Sequence, residues 1–228
     1  MFVNRSMTKK VITVTPETGL FEAKDLMAKH HFRHLPVCRE DGLLFGIVTD
    51  RDLRSALPHD FSKASAHPDT TKTQADVTAL KIGDIMTTDL IKVSPMDTIQ
   101  DALLLIQRSN VGALPVVDDQ NRLEGIISVR DLLRAFINVL GIGEPGALIC
   151  VLVEEKVGQL KKIVDAVTGE GVSFGSVLVA RYWDEKKRAV FCYLLTVNVR
   201  PIKKKLADLG FTILDPMEWY MDQLPKPD

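Results

Sequence analysis

The chain has 228 residues, 29 Lys+Arg against 30 Asp+Glu and a pI near 6.5, a balance that excludes a global field drawing it to nucleic acid or an anionic membrane. Three cysteines, Cys38, Cys150 and Cys192, are an odd number with no close pair in sequence, which suits buried apolar thiols in a reducing compartment better than a disulfide framework. The N-terminal stretch lacks the apolar core of a secretory signal and no run of about 18 apolar residues is present, so the expected location is the cytoplasm.

Taken in chain order, the first elements recur. The segment "MTKKVITVTPETGLFEAKDLMAKHHFRHLPVCREDGLLFGIVTDRDL" from Met7 returns from Met86 as "MTTDLIKVSPMDTIQDALLLIQRSNVGALPVVDDQNRLEGIISVRDL", at an offset of 79 and without a gap. Pro36 aligns with Pro115, Gly46 with Gly125, Arg51 with Arg130 and Asp52 with Asp131. An internal repeat of this length means two copies of one supersecondary unit.

In each copy a short β-rich run, "VITV" or "LIKV", is followed by Thr15-Pro16 or Ser94-Pro95, a hydroxyl and proline that predict a helix start. Helical spacing of Leu20, Ala23, Leu26 and Met27, and of Ile99, Ala102, Leu105 and Ile106, predicts the helix itself. Next come "HLPV" or "ALPVV", a turn at Asp41-Gly42 or Gln120-Asn121, and "LLFGIVT" or "LEGIIS", a predicted hairpin. A closing helix is expected near Asp52 and Asp131, so the unit reads β-α-β-β-α. The polar stretch 58–76 between the copies reads as an exposed linker.

"GIGEPG", residues 141–146, fits a dinucleotide fingerprint by its letters, but that fingerprint needs a strand before it and a helix after it. Here a helix pattern, "LLRAFINVL", precedes and a strand pattern, "ALICVLV", follows. The glycines therefore read as a helix C-cap and a domain linker. From Ala147 the pattern is strand, helix, strand, a charged turn "DEKKR", strand, helix, strand, a β-α-β-β-α-β order expected to give a four-stranded α+β sandwich backed by two helices. The expected domains are 1–60 and 80–140 for the repeats, 61–79 and 141–146 for linkers, and 147–228 for the last domain.

Thr49 with Asp52, and Ser128 with Asp131, carry the chemistry. Hydroxyl and carboxylate three apart at a strand-to-helix turn form a helix capping box. The same pair also suits a ligand, with phosphate at the helix N-terminus and the acid accepting hydrogen bonds from a ribose diol. Repetition of the whole context favours the ligand. His30, His31 and His34 with Cys38 have metal-like spacing, but they straddle a helix end and a strand, and the second copy has Ser109, Asn110, Ala113 and Val117 there, so no metal site is expected. Lys203 to Lys205 read as a solvated helix face. No Walker loop, zinc-protease His pair or nucleophile elbow occurs, which argues against an enzyme.

Both copies resemble cystathionine β-synthase (CBS) domains, whose tandem pairs form the Bateman module. The resemblance implies two repeats packed in pseudo-two-fold fashion, with adenosine nucleotides (AMP, ADP or ATP) as regulatory ligands in the clefts between them. It assigns Asp52 and Asp131 to ribose and Thr49 and Ser128 to phosphate or ribose. It places adenine near Val11 and Ile12, and near Leu90 and Ile91, with His34, Pro36, Arg51, Pro115 and Arg130 as further candidates around the clefts. Differences between the copies, Asp50 against Val129 and Arg33-His34 against Gly112-Ala113, imply clefts of unequal affinity or ligand. S-adenosylmethionine or NADH are the alternative ligands.

The last third resembles a ferredoxin-like ACT domain, a regulatory fold that implies dimerisation and an amino acid or other metabolite at the interface. In the loop after its first strand, "EEKVGQL", Val157 stands where that family's proline would, so dimerisation alone is implied there at least as strongly as amino-acid binding at Gly158. The combination is similar in organisation to bacterial acetoin utilization proteins. It implies a non-catalytic homodimer regulating a metabolic enzyme, with a structural scaffold lacking any ligand as the alternative.

Overall fold

The computed structural model describes residues 1–57, 79–181 and 186–214. The expected linker at 58–76 and the first part of the charged turn at 184–185 lie outside the described residues. Two compact units are present, Met1–Leu133 and Arg134–Asp228.

In the first unit each copy builds one long helix, one hairpin and one closing helix. The first has α1 (Leu20–His30), β1 (His34–Cys38), β2 (Leu44–Thr49) and α2 (Asp50–Ala56); the second has α3 (Ile99–Ser109), β3 (Ala113–Val117), β4 (Leu123–Ser128) and the start of α4 (Val129–Leu140), whose last residues are counted in the second unit. The helical spacing has its expected consequence, since Leu20, Ala23 and Met27, and Ile99, Ala102 and Ile106, are buried. Both helices end on a residue in the left-handed region, His31 at φ 57 and Asn110 at φ 52.

Two sequence expectations are corrected. The β-rich runs are not strands: Val14 makes one parallel bridge to Val37, and Val93 one to Val116. Nor do the long helices begin at Thr15-Pro16 and Ser94-Pro95. The Thr18 amide donates to the Thr15 carbonyl and the Asp97 amide to that of Ser94, closing turns that delay the helices to Leu20 and Ile99. The caps then differ: Gly19 offers no side chain, whereas Thr98 and Asp101 form a capping box.

The segments leading into each copy are exchanged. Residues 1–8 lie on the second copy, where Thr8 and Ile126 exchange hydrogen bonds at 2.9 and 3.0 Å and Val3 donates to the Asp97 carbonyl. Residues 80–87 lie on the first copy, where Thr87 and Ile47 exchange bonds at 2.9 and 3.0 Å. Ile82 is fully buried in the core of the first copy with Val14, Leu20, Leu35, Val48 and Leu53. Glycine on the recipient strands permits this approach. A Cβ at Gly46 would lie 2.7 Å from Met86 Sδ and 3.1 Å from the Thr87 carbonyl, and one at Gly125 would lie 2.6 Å from Met7 Sδ and 2.9 Å from the Thr8 carbonyl.

The hairpin tips join the copies directly. Leu44 donates to Asn121 O at 3.0 Å, Leu123 to Gly42 O at 3.2 Å and Asn121 Nδ2 to Leu44 O at 2.9 Å, beside an apolar cluster of Cys38, Leu44 and Val117. Exchanged segments and shared tips thus tie the two repeats together through hydrogen bonds.

The second unit contains β5 (Ala147–Glu154), α5 (Gln159–Thr168), β6 (Phe174–Arg181), β7 (Lys187–Leu194), α6 (Arg200–Asp208) and β8 (Thr212–Leu214), the β-α-β-β-α-β order read from sequence. Its antiparallel sheet runs β6-β7-β5-β8. Alternation along the strands sends Ile149, Val151, Val153, Val190, Cys192 and Leu194 against Ile163, Val167, Ile202 and Leu206 of the helices. All three cysteines are buried free thiols, and burial pushes Cys150 up to about 11 and Cys192 to about 12. Residues 141–146 follow α4 and precede β5, with Gly141 at φ +68, so "GIGEPG" has the helix-to-strand order that a dinucleotide fingerprint forbids. No helix among the described residues is long and apolar enough to cross a membrane.

Candidate functional site

The site begins at the junction of β2 and α2. Thr49, in extended conformation, caps α2, and its side chain and that of Asp52 answer each other: Thr49 N donates to Asp52 Oδ2 at 2.8 Å, Thr49 Oγ1 donates to the same oxygen at 2.7 Å, and Asp52 N donates to Thr49 Oγ1 at 3.3 Å. The Ser128–Asp131 pair repeats this at 2.9, 2.6 and 3.4 Å. Both pairs therefore are helix caps.

Capping uses only part of the chemistry. A carboxylate has two oxygens, and Asp52 Oδ1 accepts no hydrogen bond among the described residues. The single proton of the Thr49 hydroxyl is committed to Asp52, so toward a ligand the hydroxyl presents lone pairs. Together they form an acceptor pair, suited to the two hydroxyls of a diol and unsuited to phosphate. The terminus of α2 is also unsuited to phosphate, because Asp50 and Asp52 already occupy its first turn and the helix has only seven residues.

Thr49 opens into a cleft of about 440 Å³. Its first wall comes from the first copy, with Ile47, Thr49, Asp50, Arg51 and Arg54 from β2 and α2 and Arg33 and His34 from the start of β1. Its second wall comes from the other copy, with Leu90, Ile91 and Pro115 and the loop Asn110–Ala113. The exchange of 80–87 explains this pairing: the chain leaves β2 at Thr87 and passes Asp89, Leu90 and Ile91 across the cleft mouth. Apolar Leu90 and Ile91 thus line the same cleft as Thr49 of the other repeat.

Cationic groups supply the rest. Arg54 is held by Asp50 at 2.9 Å, while Arg33 and Arg51 have no carboxylate partner among the described residues. Burial pushes the His34 imidazole below the usual histidine range, Arg33 adds to this, and Asp52 opposes it. The cleft lining therefore combines an acceptor at Thr49 with guanidinium donors, which match anionic oxygens.

Of the residues picked from sequence, Thr49, Arg51, Leu90, Ile91, His34 and Pro115 meet in this cleft, and Asp52 stands one hydrogen bond behind Thr49. Ser128, Asp131, Arg130, Val11, Ile12 and Pro36 do not line it. Val11 and Ile12 are half-buried beyond Thr8, which the exchange ties to β4 and hence to the Ser128 side. Pro36 is buried, its carbonyl accepting from Val14 at 3.1 Å. Sequence reading named Arg33, Gly112 and Ala113 only as differences between the two clefts, and missed Arg54, Asp89, Asn110 and Val111 as cleft residues. Among the described residues no group of three or more His, Cys, Asp or Glu is placed to hold a metal ion. In the second unit Gly158 caps α5 at φ 91 behind a fully exposed Val157.

Comparison with known proteins fits this geometry. The CBS-domain model matches residues 3–59 and 82–138, half of the chain and both repeats. A CBS domain-containing protein of Dictyostelium discoideum is 33% identical over 141 residues, covering 61% of this chain and 94% of the relative. Inosine-5'-monophosphate dehydrogenase of Methanocaldococcus jannaschii is 36% identical over 126 residues, but the match covers only 22% of that enzyme. Among solved structures, CBSX2 of Arabidopsis thaliana in complex with AMP is 28% identical with a TM-score of 0.50, covering 60% of this chain and 96% of that one. A Vibrio cholerae protein assigned to acetoin utilization (AcuB) is 28% identical with a TM-score of 0.51, covering 64% and 98%. With two matched repeats, each carrying its hydroxyl and carboxylate at the hairpin-to-helix junction, the chain belongs to the CBS-domain family and contains a tandem pair of its domains.

Proposed function

We propose that the chain is a non-catalytic regulatory protein whose CBS pair binds an adenine nucleotide, AMP, ADP or ATP, and reports its presence to a metabolic enzyme. The observation that carries this reading is the mixed lining of the Thr49 cleft. Its Thr49 hydroxyl, backed by Asp52, suits a ribose diol, Leu90 and Ile91 offer apolar surface to a purine, and Arg33 and Arg51 are available for phosphate. The AMP complex of the CBSX2 structure supports an adenosine ligand. A ligand seated there touches both repeats, so it biases their packing by its differential affinity for two arrangements. The second unit, with its ferredoxin-like strand order, is assigned as an ACT-like module that makes the chain a homodimer and can take a second metabolite. Likeness to the AcuB protein supports a role in acetoin or acetate metabolism, in the cytoplasm.

A second reading has an observation of its own: both hydroxyl-carboxylate pairs are satisfied as helix caps, as a scaffold without ligand would require. Equilibrium dialysis with AMP, ADP, ATP, S-adenosylmethionine and NADH separates the readings. Saturable binding of one of the three nucleotides is the expected result. Binding of S-adenosylmethionine or NADH alone would reassign the ligand, and no binding at millimolar concentration would leave the scaffold.

A further inference from the structure

The Thr49 cleft contains a titratable ring whose counterpart in the second repeat has none. Across the hairpins His34 pairs with Thr49, whereas Ala113 pairs with Ser128. The His34 ring ends against the loop of the other repeat: a Cβ at Gly112 would lie 2.7 Å from Nε2 and 2.8 Å from Cε1. Glycine at 112 is what gives the imidazole room to reach across the cleft. The charges around it are Arg33 on its own strand, Asp50, Arg51, Asp52 and Arg54 on α2, and Asp89 on the exchanged segment; the loop Asn110–Ala113 brings no titratable group.

In the empty cleft burial and Arg33 disfavour the charged ring, and Asp52 offsets part of this. These surroundings therefore favour the neutral ring. A phosphate dianion beside Arg33 and Arg51 changes that balance, because an opposite charge within a few ångström favours imidazolium and turns a neutral hydrogen bond into a charge-assisted one. Resting on the adenine-nucleotide reading above, we infer that His34 sets the charge preference of this cleft: it takes one proton from solvent as a phosphorylated adenosine enters, and so favours that ligand over unphosphorylated adenosine. No bond to the ligand is made or broken. Because the second repeat has Ala113 at this place, the effect belongs to one cleft only.

The test is calorimetry of the full chain with AMP and with adenosine at pH 6.5 and 8.0, in two buffers of different ionisation enthalpy, for wild type, His34→Gln and His34→Ala. Uptake of one proton limits the change in affinity to about tenfold per pH unit, and the ligand's own second phosphate ionisation near about 6 sets the lower end of the range. Wild type is expected to gain several-fold in AMP affinity relative to adenosine between pH 8.0 and 6.5, with net proton uptake. His34→Gln, which keeps a donor, and His34→Ala, which does not, should both show an AMP-to-adenosine affinity ratio that no longer depends on pH. In ¹H–¹³C spectra the imidazole signal that His34→Gln removes should titrate at higher pH with AMP present than without. An affinity ratio independent of pH in wild type, or a dependence that survives in His34→Gln, overturns the inference while adenosine binding keeps the site. If neither adenosine nor AMP binds, the site and the inference fall together.

Discussion

The two CBS repeats share a register of 79 residues and the same exchanged entry segment, yet the first pairs a histidine with its hydroxyl and closes on a helix with an Arg54–Asp50 ion pair, at positions where the second has other residues. Arg54 becomes Leu133, Asp50 becomes Val129 and His34 becomes Ala113. Buried positions are matched closely, Leu53 by Leu132 and Ile82 by Val3, all within 1% exposure. The comparison separates what a repeat needs to fold, which is kept, from what a cleft needs to choose its ligand, which differs.

The largest expected effects test the kept part. Leu53→Ala and Leu132→Ala should each lower stability by about 2–5 kcal/mol, because each deletes a fully buried leucine from the closing helix of its repeat. Urea unfolding should give one transition for both variants, since the exchanged segments tie the cores together; two separated transitions in either would break the equivalence. Next in size is Asp52→Ala. Loss of a charge-assisted acceptor should weaken nucleotide binding at the first cleft by about 1.5–3 kcal/mol, roughly ten- to hundredfold, with Asp131→Ala acting on the other site.

Smaller effects test the differences. Thr98→Ala removes the capping box of α3 and should cost about 1 kcal/mol, whereas Gly19→Ser, at a position open to a side chain, should stabilise α1 by a few tenths of a kcal/mol. The smallest is a pH effect on the free protein. The folded pKa of His34 lies below its unfolded value, so its contribution is present above about 6.5 and is lost as pH falls through the folded pKa. Melting temperatures measured between pH 7.5 and 5.5 should therefore fall less steeply in His34→Ala than in wild type, and AMP should flatten the wild-type slope.

Much of this was legible in the residues. The repeat placed both hairpins and both hydroxyl-carboxylate pairs, because turn chemistry at Asp41-Gly42 and Gln120-Asn121 and the apolar periods of α1 and α3 are local signals. The helix starts were misplaced because a hydroxyl before proline also makes a turn, and at Thr15-Pro16 the Thr18 amide closes it. What had no local signal was the exchange. Thr87 pairs with Ile47 across 40 residues of chain, and that pairing alone decides that Leu90 and Ile91 serve Thr49 and not Ser128. Arg54 was missed because its helix face becomes a cleft wall only when the second repeat is opposite.

The central claim is that the Thr49 and Ser128 junctions hold adenine nucleotides. Titration calorimetry of the full chain with AMP, ADP and ATP, beside Asp52→Ala and Asp131→Ala, addresses it most directly. The account predicts saturable binding by wild type and the loss or severe weakening of one site in Asp52→Ala, with the variant still folded. Undiminished binding in both variants, or none by wild type at millimolar nucleotide, would contradict it and leave the carboxylates as helix caps.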